Sequence, residues 1–193
     1  MGPNKQILVH SCCASCSSYV LEHLLKKFDV TAYYYNPNIQ PEAEYELRLS
    51  EMKTICGRLG ITLIEGPREF EEWNSAIAPY AHLPEKSERC RVCYRLRLEE
   101  TARKAAEAGI GLFTTTLSVS PHKIHAWILE EGRISEERHD VVFLKEDFKK
   151  KGGFQESCRK SRVHGLTRQD YCGCLFSLEE ARLRRIKPIS GED

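Results

Sequence analysis

A chain of 193 residues with 41% hydrophobic side chains is long enough for one sizeable core, and its 29 Lys and Arg against 28 Asp and Glu leave a formal net charge of +1 that neither selects nor excludes a nucleic-acid partner. No stretch approaches the ~20 apolar residues of a membrane helix, and the start Met1-Gly-Pro-Asn-Lys-Gln runs into a strand-like segment without a signal-peptide apolar region, so a cytoplasmic protein with no membrane partner is expected. Nine cysteines in a reducing compartment are not a disulfide framework, which leaves metal or redox chemistry for those that cluster.

Residues 6–10 (QILVH) read as a strand stopped by Ser11, and 15–27 carry Tyr19, Val20, Leu24 and Leu25 at helical spacing. The β-branched and aromatic run 30–36 predicts a second strand ending at Pro37-Asn38, and 42–59 predicts a helix closed by Gly60. A short strand at 61–64, a helix at 70–77 and a polar loop at 79–89 lead to Cys90. A helix at 94–108, a strand at 112–117, a helix at 122–131 and a strand at 141–144 complete the alternation. Strands alternating with helices imply parallel pairing through right-handed crossovers, hence an open α/β sheet with helices on both faces. Ligands of such sheets sit beyond the carboxyl ends of the strands, where Ser11-Cys12-Cys13, Asn36 and Ser118 would share one rim. The expected organisation is an α/β core over 1–148 and, within the same domain, a helical, loop-rich basic lid over 149–193 packed on that rim.

Three cysteine groups carry the chemistry. Cys12-Cys13-Ala-Ser-Cys16 opens a helix, where free backbone N–H groups and the positive dipole end favour thiolates. No glycine lies between Ile7 and Leu25, so the phosphate cradle of an ATP site is missing. Cys90-Arg-Val-Cys93 has a spacing shared by zinc, redox and iron-sulfur sites. Adjacent Cys12 and Cys13 give an awkward bite on one tetrahedral ion, whereas each can reach a different iron of a cubane. That favours a [4Fe-4S] cluster on Cys12, Cys13, Cys90 and Cys93 over zinc. Cys172-Gly-Cys174 reads as a switching dithiol, with a second metal site as its rival, and Asp170 and Tyr171 beside it are candidate proton donors. Cys56 and Cys158 stand alone and read as inert thiols.

The charge is uneven. Lys149, Lys150, Lys151, Arg159, Lys160, Arg162 and Arg168 face a single acid, Glu156, over residues 149–168, and Arg182, Arg184, Arg185 and Lys187 follow. Such a segment suits a phosphate backbone, and a solvated helix face is the plain alternative.

Five ordered motifs carry a resemblance: His10-Ser-Cys12-Cys13-Ala-Ser-Cys16; Tyr34-Tyr-Asn36-Pro-Asn38-Ile-Gln-Pro41 with Glu44-Tyr45; Cys90-Arg-Val-Cys93-Tyr-Arg-Leu-Arg-Leu with Thr101-Ala; Phe113-Thr-Thr-Thr-Leu-Ser-Val-Ser-Pro121; and Arg168-Gln-Asp-Tyr-Cys172-Gly-Cys174. From residue 7 to about 178 the chain resembles the cobalamin-independent epoxyqueuosine reductase (QueH) family. One departure is Ser15, where the family usually carries proline. The resemblance implies a nucleotide-hydrolase-like (HUP) α/β fold and reduction of the epoxide of epoxyqueuosine at the tRNA wobble position, the last step of queuosine synthesis. It fits a [4Fe-4S] cluster fed by an unidentified electron donor, a Cys172/Cys174 redox pair, a proton from Asp170 or Tyr171, and the anticodon stem held by the basic segment. An alternative gives Cys16, Cys172 and Cys174 to an adjacent mononuclear iron acting as a Lewis acid. Two other classes differ in their requirements: an iron-sulfur tRNA-thiolating enzyme needs an ATP site, and a non-enzymatic zinc-stabilised RNA-binding module would be colourless.

Overall fold

The computed structural model describes residues 5–186. The apolar run Ile7, Leu8 and Val9 makes β1 (Lys5–His10) the buried central strand. It pairs in parallel with β2 (Phe28–Tyr34) on one side and β4 (Leu112–Thr115) on the other. β3 (Thr62–Glu65) and β5 (Val142–Phe143) complete an all-parallel sheet of order β3-β2-β1-β4-β5, the α/β architecture expected.

Successive strand side chains point to opposite faces, so each strand feeds two cores. Ile7, Val9, Ala32 and Tyr34 pack against α1 (Ala14–Leu25), α2 (Glu42–Leu59) and Phe154 of α6 (Gly153–Val163). Leu8, Tyr33 and Phe113 pack against α4 (Glu88–Glu107) and α5 (His125–His139). Each fully buried Leu or Ile here contributes about 1.5–3 kcal/mol of transfer free energy. A third cluster, Trp73 and Ile77 of α3 (Phe70–Ile77) with Val92, Cys93 and Cys174, joins the start of α4 to the start of α7 (Leu175–Ile186).

From β1 the chain crosses to β2, and from β4 it crosses the opposite way to β5. Their adjacency makes β1/β4 the topological switch point, and the crevice at its carboxyl end is the natural ligand site. His10 stitches this point together. Its Nε2 donates to the Tyr35 carbonyl at 3.1 Å, leaving Nδ1, 2.8 Å from Thr115 Oγ1, to accept the threonine proton.

Three of the boundaries that differ from the sequence expectations bear on the site. α4 begins after Ser87, so Cys90 and Cys93 lie one helical turn apart on one face instead of ending a loop. β4 stops at Thr115, whose hydroxyl accepts the Leu117 N–H at 3.1 Å and turns 116–119 into a 3-10 helix that carries Ser118. α5 starts at His125 and runs to His139, because its polar residues face α4: buried Glu131 accepts from Arg91 and Arg95 at 2.7 and 3.1 Å.

The C-terminal stretch crosses the carboxyl rim and is fastened along its length. Ser157 Oγ donates to the Ser15 carbonyl at 2.8 Å and the Gln40 N–H to the Gly173 carbonyl at 2.8 Å. Glu180 accepts from Arg89 at 2.6 Å and from the Glu85 N–H at 3.1 Å. Among the described residues no helix is long and apolar enough to cross a membrane.

Candidate active site

Three separate stretches deliver thiols to the switch-point crevice. Cys12 and Cys13 leave β1, with Cys13 as the N-cap of α1 and Cys16 in its first turn. α4 supplies Cys90 and Cys93, and the turn before α7 supplies Cys172 and Cys174. Cys12, Cys13, Cys93 and Cys174 are buried, and Cys16, Cys90 and Cys172 partly so.

Two adjoining cavities separate these thiols. The larger, about 450 Å³, has Cys12, Cys13, Cys16 and Cys172 in its wall, with Phe154 and Tyr171 as aromatic and Arg48 and Arg168 as cationic lining. Cys90, Cys93, Cys172 and Cys174 line a narrow second cavity of about 20 Å³. Cys172, Glu85 and Lys123 border both. Hence Cys172 is the sulfur common to the two thiol groups.

Within each group one sulfur is favoured as the thiolate. Contact with the Cys13 and Cys16 thiols, helped by the Arg97 charge, holds Cys12 well below the ordinary thiol range, while contact with Cys12 pushes Cys13 up to about 11. Donation to Cys12 and Cys13 and burial likewise raise Cys16. In the second pair the sulfurs lie 3.6 Å apart. The Cys174 thiol donates to Cys172 and lowers it, against burial and with help from Lys123; Cys174 is raised correspondingly. His10, beneath the cysteine loop, is lowered to about 4 by burial and is neutral.

The donor chemistry fits a thiolate-ligated iron-sulfur group: soft ligands, one member of each clustered pair predisposed to ionise, and apolar walls around them. A cubane takes each cysteine on a different iron, so its ligands surround a volume. Among the described residues no three His, Cys, Asp or Glu side chains are grouped to hold a metal ion, so the side chains as they stand select neither a cluster nor a single ion. The trio Cys16, Cys172 and Cys174 is divided, Cys16 facing the large cavity and Cys174 the small one, and the quartet is divided in the same way, Cys12 and Cys13 lining the large cavity and Cys90 and Cys93 the small one.

Asp170 and Tyr171 both border the large cavity. The Asp170 carboxylate is paired with Arg185. Tyr171 donates its hydroxyl proton to the Gln40 carbonyl at 2.7 Å, and burial, with Glu44 nearby, pushes it up to about 12. Of the basic segment, Lys149 pairs with Asp147 at 3.5 Å, Arg159 with Glu156 at 2.6 Å and Lys160 with Glu22. Lys150, Lys151, Arg162 and Arg168 are exposed and form no ion pair among the described residues, and Arg168 lies 5.8 Å over the Phe154 ring. Arg184 pairs with Glu85 at 3.8 Å and Arg182 with Glu179 at 3.7 Å; Lys187 lies outside the described residues. Cys56 is packed in the core between α2 and the sheet and Cys158 is half-buried on α6.

Sequence reasoning passed over four cations around the thiols: buried Arg48, Arg89 and Arg97, and half-buried Lys123. Arg48 reaches from α2 to donate to the Tyr171 and Cys172 carbonyls, both at 3.3 Å. Arg89 approaches Cys174 Sγ at 3.7 Å.

A family model described as epoxyqueuosine reductase QueH matches residues 7–180. The chain is 38% identical over 179 residues to the epoxyqueuosine reductase QueH of Thermotoga maritima, covering 91% of this chain and 92% of that one. It is 35% identical over 178 residues to the protein of that name from Streptococcus pyogenes serotype M1, covering 89% and 69%. A third, from Haemophilus influenzae, is 35% identical over 182 residues, covering 93% and 74%. Among solved structures, a predicted subunit of tRNA methyltransferase from Methanocaldococcus jannaschii aligns with TM-score 0.50 over 79% of this chain and 76% of that one, at 13% identity, a likeness of fold alone.

Proposed function

The chain belongs to the epoxyqueuosine reductase QueH family, and from that premise we propose that it reduces the epoxide of epoxyqueuosine in tRNA to the alkene of queuosine. In this reaction both C–O bonds of the epoxide break, a C=C bond forms, and the oxygen leaves as water after taking up two electrons and two protons. The observation that carries the mechanistic reading is Cys172, which faces the cavity large enough for a nucleoside and is also the sulfur shared by both thiol groups.

Oxidising Cys172 and Cys174 from dithiol to disulfide releases the electron pair that the epoxide requires. When Cys172 reacts as the thiolate, the direction in which Cys174 pushes it, Cys174 brings one proton and the second has another source. Tyr171 keeps its proton up to about 12 and is the better candidate for that source; Asp170, tied to Arg185, is the second. A [4Fe-4S] cluster held by Cys12, Cys13, Cys90 and Cys93 would supply single electrons, drawn from a donor protein not yet identified. The unpaired cations Lys150, Lys151, Arg162 and Arg168 suit the phosphates of an anticodon arm.

Anaerobically reconstituted protein tests both parts. Broad visible absorption with about four irons and four sulfides per chain is expected. A colourless zinc protein would sink the cluster. In single turnover Cys172→Ser should lose at least a hundredfold in rate; turnover at the wild-type rate would remove the dithiol role.

A further inference from the structure

Arg97 is 2% exposed on the inner face of α4, and Lys123 stands where the two cavities meet. Burying a cation costs several kcal/mol unless an opposite charge compensates it. Two of the buried cations are compensated, Arg48 by Glu44 at 2.6 Å and Arg89 by Glu180 at 2.6 Å. Arg97 and Lys123 form no ion pair with any carboxylate among the described residues. Arg97 makes only two long hydrogen bonds, 3.4 Å to the Cys93 carbonyl and 3.4 Å to Asn36 Oδ1. Lys123 Nζ lies 5.7 Å from the centre of the Tyr94 ring. Glu85, the acid that borders both cavities with Lys123, is turned to Arg184 at 3.8 Å.

The two cations also repel each other across the small cavity that both line. What stands around them is sulfur: Arg97 and Lys123 line the small cavity together with Cys90, Cys93, Cys172 and Cys174, and Lys123 also lines the large one with Cys12. A buried Arg97 and a half-buried Lys123, uncompensated and mutually repelling, are tolerable only if an anionic group lies between them.

We propose that Arg97 and Lys123 are the fixed counter-charges of the cysteine centre, positioning residues that stabilise its thiolates and, when those thiolates carry a cluster, set how readily that cluster accepts an electron. This rests on the cluster reading above for its redox half alone. Adding an electron makes the centre more negative, so fixed positive charge beside it raises the reduction potential.

The variants are Arg97→Gln and Lys123→Met, each beside its charge-keeping partner, Arg97→Lys and Lys123→Arg. In redox titrations of reconstituted protein followed by electron paramagnetic resonance, each neutral variant should shift the midpoint negative by the equivalent of a tenfold change in the reduced-to-oxidised ratio, about 59 mV for one electron. The charge-keeping variants should retain most of the wild-type potential. In metal-free protein at neutral pH, alkylation of Cys172 and Cys12 by iodoacetamide, followed by mass spectrometry, should slow at least tenfold in the neutral variants. Potentials and alkylation rates equal to wild type would overturn the proposal, as would a Lys123→Met protein altered only in KM, which would assign that lysine to substrate. If wild type takes up no iron, the cluster reading fails by itself and the alkylation rates decide the counter-charge role. Should Arg97→Gln not fold, Lys123→Met carries the same comparison from a loop.

Discussion

Gly173 has φ of +120°, and a Cβ there would sit 3.0 Å from Ile39 Cγ1 and 3.1 Å from Asn38 Nδ2, so the turn that aims Cys172 and Cys174 tolerates glycine alone. Gly173→Ala should cost about 1–3 kcal/mol in urea denaturation; a variant as stable as wild type would show that the turn can relax. The two solitary cysteines should differ in reactivity. Burial pushes the Cys56 thiol up to about 11, so alkylation of native metal-free protein at pH 8 should spare Cys56 and modify half-buried Cys158; labelling of Cys56 at an equal rate would contradict its packing in the core. The clustered cysteines were legible in the sequence because their type and spacing carry chemistry in themselves. Arg97 was not. It alternates with exposed Arg95 in Tyr-Arg-Leu-Arg-Leu, and nothing in such a stretch says which guanidinium faces inward until α4 is docked on the sheet.

At the scale of elements, the alternation of strands and helices was legible because the sheet is covered on both faces and its central strand carries the continuous apolar run Ile7, Leu8 and Val9. The length of α5 was hidden, since Glu131 and Ser135 are polar yet buried against α4, which breaks the apolar period at the point where the sequence suggests the helix ends. The attachment of the C-terminal stretch to α2 was equally hidden, because it depends on backbone carbonyls that any residue provides. Arg48 makes that attachment. Arg48→Ala should strip the clasp and leave the mostly buried Glu44 carboxylate unpaired, at a cost of about 3 kcal/mol. Hydrogen exchange should accelerate over residues 168–174 while β1 stays protected. Uniform acceleration across the sheet would mean that Arg48 supports the whole fold and not the clasp.

For the whole molecule, a net charge of +1 conceals a division within the basic segment. Lys149, Arg159 and Lys160 are neutralised by carboxylates, and Lys150, Lys151 and Arg162 are not. If the second trio grips tRNA, replacing it with alanine should weaken binding and flatten the dependence of log affinity on log salt by about two to three units, since each lost phosphate contact removes ~0.7 to 0.9. Replacing the neutralised trio should change the slope far less, and equal effects would deny the division. The thiols themselves come from three stretches of sequence, starting at Cys12 and ending at Cys174. At ordinary rates of synthesis the ribosome needs roughly ten to thirty seconds to pass from Cys16 to Cys174. Throughout that interval the first three thiols wait without Cys174 and the stretch that later closes over them, so each newborn chain passes through a window of oxidative vulnerability that the finished fold closes.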